Sequence, residues 1–159
     1  MEEEVNSHWW KYSEKPVLVM IVYSLIVLAY PLTNLLSTKI NSIISWGITI
    51  FVFGFISYLV LQDKKAPKDL FFSGKIGLYA GALIGFISAV LGIISYYLFP
   101  QRILDQLAQL TAASGTQISS AMIQIGLYAG LVIGPISTAI IGGIISLVAT
   151  MILRKILNK

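Results

Sequence analysis

The side chains able to do acid–base, nucleophilic or metal chemistry are few, and they are badly placed for it. The chain has one histidine, His8, and no cysteine. From Ile76 to Leu153 the only charged residues are Arg102 and Asp105. A nucleophilic serine needs a neighbouring base, and a metal needs several His, Cys or carboxylate ligands. Neither set is present, so no catalytic constellation, metal site or cofactor is expected. Proton-coupled transport needs an ionisable group at membrane depth, and the apolar stretches supply none. The polar pattern that remains is Gly134-Pro135 followed by Ser137 and Thr138. Proline lacks an N–H and frees the carbonyl four residues earlier, here that of Leu131. That carbonyl and two hydroxyls would suffice to hold a small cation or a neutral solute. Pro31 likewise frees the carbonyl of Val27, beside Asn34. Packing is the simpler account of both places: a Gly-Pro kink in a helix bundle needs no ligand, and Asn34 falls where interfacial water satisfies it.

The composition explains why chemistry is so sparse. Of 159 residues, 57% are hydrophobic and 11% charged, where a globular chain has about half apolar and a quarter charged. This is the composition of a membrane protein. The net charge of +4 does not argue for a nucleic-acid partner, because the basic residues sit in short clusters beside apolar runs, where they set topology. The start, Met1-Glu2-Glu3-Glu4, is acidic, whereas a secretory signal has a basic start, so the first helix is expected to be retained.

The elements that would position these residues form an all-α, four-helix transmembrane bundle. Residues 1–16 carry His8, Trp9, Trp10 and Tyr12, rings that favour the headgroup layer, and are expected to lie along the cytoplasmic surface before the chain turns in near Pro16. Spans are expected at about 17–37, 43–61, 76–99 and 122–153, each long enough for the hydrocarbon core. The last exceeds that need and must tilt or protrude. A short turn, Thr38 to Ser42, makes the first two spans an antiparallel hairpin. In the basic loop that follows, Phe71 and Phe72 are expected to dip into the interface. Between spans three and four, residues 101–112 put Ile103, Leu104, Leu107, Ala108 and Leu110 on one face, opposite Arg102, Asp105, Gln106 and Gln109. That is an amphipathic interfacial helix. Residues 154–159 form a basic tail.

Spans three and four contain two copies of one motif. Residues 76–88 and 125–137 differ at three of thirteen positions. Gly77, Gly81 and Gly85 of the first copy correspond to Gly126, Gly130 and Gly134 of the second, and Gly142 continues the second row. Small residues every fourth position let helix backbones approach closely. Because four residues overshoot one turn by about 40°, such a row winds slowly and suits a right-handed crossing. These seven glycines are the expected packing residues, within one chain or between copies. The two spans run in opposite senses, so they form an inverted pair, a feature that transporters share.

Orientation follows from counting. Nine of the eleven basic residues lie before span one, between spans two and three, or after span four; only Lys39 and Arg102 lie on the other side. The positive-inside rule then puts both termini in the cytoplasm.

The outer segment Ile103-Leu104-Asp105-Gln106-Leu107 with its Ser114-Gly115-Thr116 break, and the ending Ile140-Ile141-Gly142-Gly143-Ile144-Ile145-Ser146-Leu147 with Arg154-Lys155, resemble an uncharacterised family of small bacterial four-span membrane proteins. The likeness covers about the last sixty residues. It implies a location in the bacterial cytoplasmic membrane and no established activity. The expected function is that of a non-enzymatic membrane protein, an accessory, scaffolding or assembly component packing through its glycine faces. Its partners would be membrane lipid and a homo-oligomer or larger membrane complex. The alternative is a small channel or transporter with a site near Gly134-Pro135.

Overall fold

The computed structural model describes residues 2–29, 38–67, 69–101, 104 and 119–157, and they are almost entirely helical. Four helices follow one another: α1 Glu2–Ala29, α2 Thr38–Gln62, α3 Leu70–Leu98 and α4 Ser120–Leu157. Three stretches are long and apolar enough to cross a membrane: Ser42–Gln62, Leu70–Leu98 and Ala121–Leu157. Pro31 and Asn34, and all of the expected interfacial helix except Gln101 and Leu104, lie outside the described residues.

Where the sequence reading has the chain turn in near Pro16, α1 runs on without a break. Burial accompanies the continuity. Tyr12, Ser13, Pro16 and Val17 share one helical face and are buried, and Ser13 Oγ donates 2.7 Å back to the Trp9 carbonyl. The Trp9 ring lies 6.0 Å from that of Tyr79, and Tyr12 meets Phe72 edge to face at 6.1 Å. These aromatics are therefore tied to α3 as well as suited to an interface. Phe71 and Phe72 also part company: Phe71 is exposed, while Phe72 is buried against Tyr12.

Each helix turns one stripe inward, at the spacing that keeps residues on a single face. The stripe is Val52, Phe53, Ile56, Ser57 and Val60 in α2, and Phe72, Ile76, Ala80 and Ile84 among others in α3. The core therefore sits toward the end of the bundle where α2 finishes, α3 begins and α4 finishes. Outward positions are apolar too: Ile43 is 71% exposed, Ile125 68% and Val132 64%. Such a surface suits lipid rather than water. Asp69 caps α3, its carboxylate accepting the Phe71 N–H at 3.1 Å.

Candidate functional site

The most extensive helix contact is between α3 and α4, and glycine is what allows it. A Cβ placed on Gly77 would lie 2.5 Å from the Gly142 carbonyl oxygen and would also strike the Ser146 side chain. One on Gly81 would lie 2.9 Å from Ala139 Cα and collide with the Thr138 carbonyl; one on Gly85 would lie 2.6 Å from the Gly134 carbonyl oxygen and 2.8 Å from Pro135 Cα. Advancing along α3 from Gly77 to Gly85 thus means retreating along α4 from Gly142 to Gly134. The helices are antiparallel and meet backbone to backbone within one chain. Gly142 is wedged from two sides, since its Cβ would also lie 2.5 Å from Cε1 of Phe53 on α2.

Gly126 and Gly130 do not join this contact: a Cβ on either meets nothing within 4 Å among the described residues. The reason is visible in the repeat. The alignment that equates Gly77 with Gly126 also sets Ala89 against Thr138 and Ile93 against Gly142. Gly126 and Gly130 would need small partners at Ile93 and Ala89 to mirror the Gly77 and Gly81 contacts. Ile93 is too large for that role. At Gly134, where Ala89 is the neighbour, the fit is already looser, with contacts of 3.5 Å to the Gly85 oxygen and 3.7 Å to the Ala89 Cβ.

Beside the seam lies a set of hydroxyls that sequence reasoning missed. Ser57, Ser73, Ser146 and Thr150 are all buried. Ser57 Oγ donates 2.7 Å to the Ser146 carbonyl, and Ser146 Oγ donates 3.2 Å to the Phe53 carbonyl, so α2 and α4 exchange two bonds. Thr150 Oγ1 donates 2.8 Å to the same Ser146 carbonyl and accepts from Ser73 on α3. Each hydroxyl has one hydrogen, and each finds an acceptor. A buried hydroxyl left unpaired would be costly; here all four join helices instead. The signal available in the sequence was Ser146 and Thr150 one turn apart on α4, with Ser57 and Ser73 near the ends of α2 and α3 that share the basic side.

At that same end the chain is clasped by charge. Lys11 Nζ lies 2.6 Å from Asp63 Oδ2, the Tyr12 hydroxyl donates to the same oxygen at 2.9 Å, and the Lys65 N–H donates 2.9 Å to Oδ1. The Lys11 bond, followed by the Lys65 N–H, holds the Asp63 carboxyl down at about 2. Burial first, then the hydrogen bond to Asp63 and the charge of that carboxylate, push the Tyr12 phenol up to about 12. Behind the clasp a cleft of about 520 Å³ opens between the α2–α3 loop and the last turns of α4.

The residues expected to form a solute site stand elsewhere. Ser137 is exposed, and its hydroxyl donates to its own helix, to the carbonyls of Ile133 at 2.8 Å and Gly134 at 3.1 Å. Leu131 and Thr138 are half-buried, Thr138 with its carbonyl turned to Gly81. Pro135 lies inside an unbroken α4, at the close approach to Gly85. Leu131, Pro135, Ser137 and Thr138 do not line the cleft.

Comparison with models of known protein families, with curated proteins and with solved structures finds no significant match to this chain.

Proposed function

We propose that this is a non-enzymatic, multi-pass membrane protein whose work is packing: an accessory, scaffolding or assembly component with four spans and both termini in the cytoplasm. The observation that carries the reading is where the chain places its polar and small groups. Gly77, Gly81 and Gly85 of α3 are spent on a backbone seam with α4, and the buried hydroxyls on bonds between helices. Residues 17–29 of α1 would be the described part of the first span. Support for the orientation comes from Lys11, Lys64, Lys65 and Arg154, which gather at one end of the bundle around Asp63 and the cleft. The bacterial cytoplasmic membrane, implied by the family resemblance, belongs to the same proposal.

The docking surface for a second copy or another membrane protein would be the half of α4 that carries Gly126 and Gly130, where a Cβ meets nothing within 4 Å among the described residues. The test is Gly126→Leu and Gly130→Leu in native membranes, read by crosslinking and native gels. Loss of a higher-mass complex with the monomer intact supports the reading. A second reading, a small transporter, draws on one observation: the equivalent positions Gly85 and Gly134 face each other beside Pro135. Solute flux in liposomes that Pro135→Ala or Ser137→Ala abolishes would favour it over the scaffold.

A further inference from the structure

The cleft behind the Asp63 clasp is built for one kind of occupant. Its volume of about 520 Å³ is within the range of small-molecule sites. Val60, Leu61, Ala66 and Pro67 give it apolar walls, and Thr150, already bonded within the hydroxyl set, lies at its inner side. Four charged residues line it: Asp63, Lys64, Asp69 and Arg154. Lys11 pairs with Asp63, which also accepts from the Tyr12 hydroxyl and the Lys65 N–H, and Asp69 accepts the Phe71 N–H at the start of α3. The exposed Lys65 and Lys75 add positive charge on the same end of the helices. The charges of the lining balance, but with Lys11, Lys65 and Lys75 around it basic residues outnumber acidic ones; an apolar recess at such an end of three membrane-length helices matches an amphiphile carrying an anion on its head. Such basic recesses between helices are where anionic headgroups are held.

We propose that this cleft binds the headgroup and first acyl carbons of an anionic phospholipid, with Lys64 and Arg154 facing the phosphate and Val60, Leu61, Ala66 and Pro67 covering the chain. The site goes beyond the scaffold reading and is independent of it; it requires only that α2, α3 and α4 cross a bilayer.

The experiment uses the full chain in a neutral detergent, titrated with short-chain phosphatidylglycerol, short-chain phosphatidylcholine or inorganic phosphate, with binding followed by thermal shift and native mass spectrometry. The expected result is that phosphatidylglycerol binds about tenfold or more tighter than phosphatidylcholine, the scale that two headgroup-facing cations supply. Inorganic phosphate, lacking a chain, binds weakly. Lys64→Gln with Arg154→Gln erases the preference, whereas Lys155→Gln, outside the cleft, retains it. Ala66→Trp, which fills the recess without removing charge, lowers affinity for phosphatidylglycerol. Equal binding of the two lipids by the unaltered protein overturns the proposal, as does phosphate competing as well as lipid, or a preference that survives both the rim and the filling substitutions. The lipid comparison on the unaltered chain decides even if a variant misfolds.

Discussion

Gly85 and Gly134 hold equivalent positions in the two copies of one motif, and they face each other across the α3–α4 seam. A Cβ on Gly85 would lie 2.6 Å from the Gly134 carbonyl oxygen, and a Cβ on Gly134 would lie 3.5 Å from the Gly85 carbonyl oxygen. Two antiparallel helices with the same sequence would continue this contact equally in both directions. They do not. Toward Gly77 the backbones stay in contact through Thr138 and Gly142; toward Gly126 the matching partners are Ala89 and Ile93, and the contact opens.

That asymmetry gives unequal penalties for the same substitution. Gly81→Val pushes a side chain into backbone atoms that cannot move aside, and overpacking of this kind costs about 3 kcal/mol. Gly130→Val, its equivalent in the second copy, meets nothing within 4 Å among the described residues and is expected to leave the stability of the single chain unchanged to within about 0.5 kcal/mol. Equilibrium unfolding in mixed micelles measures both; equal losses would mean the seam is not where Gly81 sits.

The hydroxyl set separates into bonds that do and do not share an atom. Ser73 and Thr150 meet in one bond, so Ser73→Ala and Thr150→Val should be non-additive, with a coupling of roughly 0.6 kcal/mol, the average for hydrogen bonds between membrane helices. Ser57→Ala alone is expected to lose about 0.5 to 1.7 kcal/mol, since it removes a donor but leaves the Ser146 carbonyl bonded to Thr150. A double-mutant cycle with no coupling between Ser73 and Thr150 would contradict the bond.

The clasp has a pH signature at each extreme. Asp63 titrates at about 2 against an ordinary 3.8. A carboxyl lowered in the folded state contributes stability that is complete above its ordinary value and fades as the pH falls from about 4 toward 2. Tyr12 titrates at about 12 against 10.0. A phenol raised in the folded state contributes fully below pH 10 and fades between about 10 and 12. Ultraviolet titration of the phenolate, with Tyr12→Phe subtracted, reads the second directly. Asp63→Asn should bring the Tyr12 midpoint down yet leave it above 10, because burial is the larger cause. A Tyr12 midpoint of 10 in the unaltered protein would mean the ring is not buried against Phe72.

Much of this was legible in the sequence, for identifiable reasons. A run of apolar residues of bilayer length is a strong signal, and the stretches expected at 43–61, 76–99 and 122–153 fall within or nearly within α2, α3 and α4. Glycine spacing was equally plain, but which glycines meet a partner depends on the opposite helix. Nothing in the second copy alone distinguishes Gly130 from Gly142; the difference lies in Ala89 against Gly77 and Phe53. Long-range polar pairing was not legible at all. Tyr12 looks like a belt residue until Asp63 is seen beside it, and Ser57 looks like a passive small residue until Ser146 is placed opposite.

The central claim is an antiparallel α3–α4 pair in backbone contact within one chain, and disulfide trapping tests it most directly because the protein has no native cysteine. The Cβ of a residue at 143 would lie 3.6 Å from that of Leu78, and one at 74 would lie 3.6 Å from that of Leu147, both within the span of a disulfide. Leu78→Cys with Gly143→Cys, and Gly74→Cys with Leu147→Cys, should each oxidise to an intramolecular bond in native membranes, while Ala89→Cys with Gly130→Cys should not. Failure of the first two pairs, or bonds formed only between chains, would contradict the account.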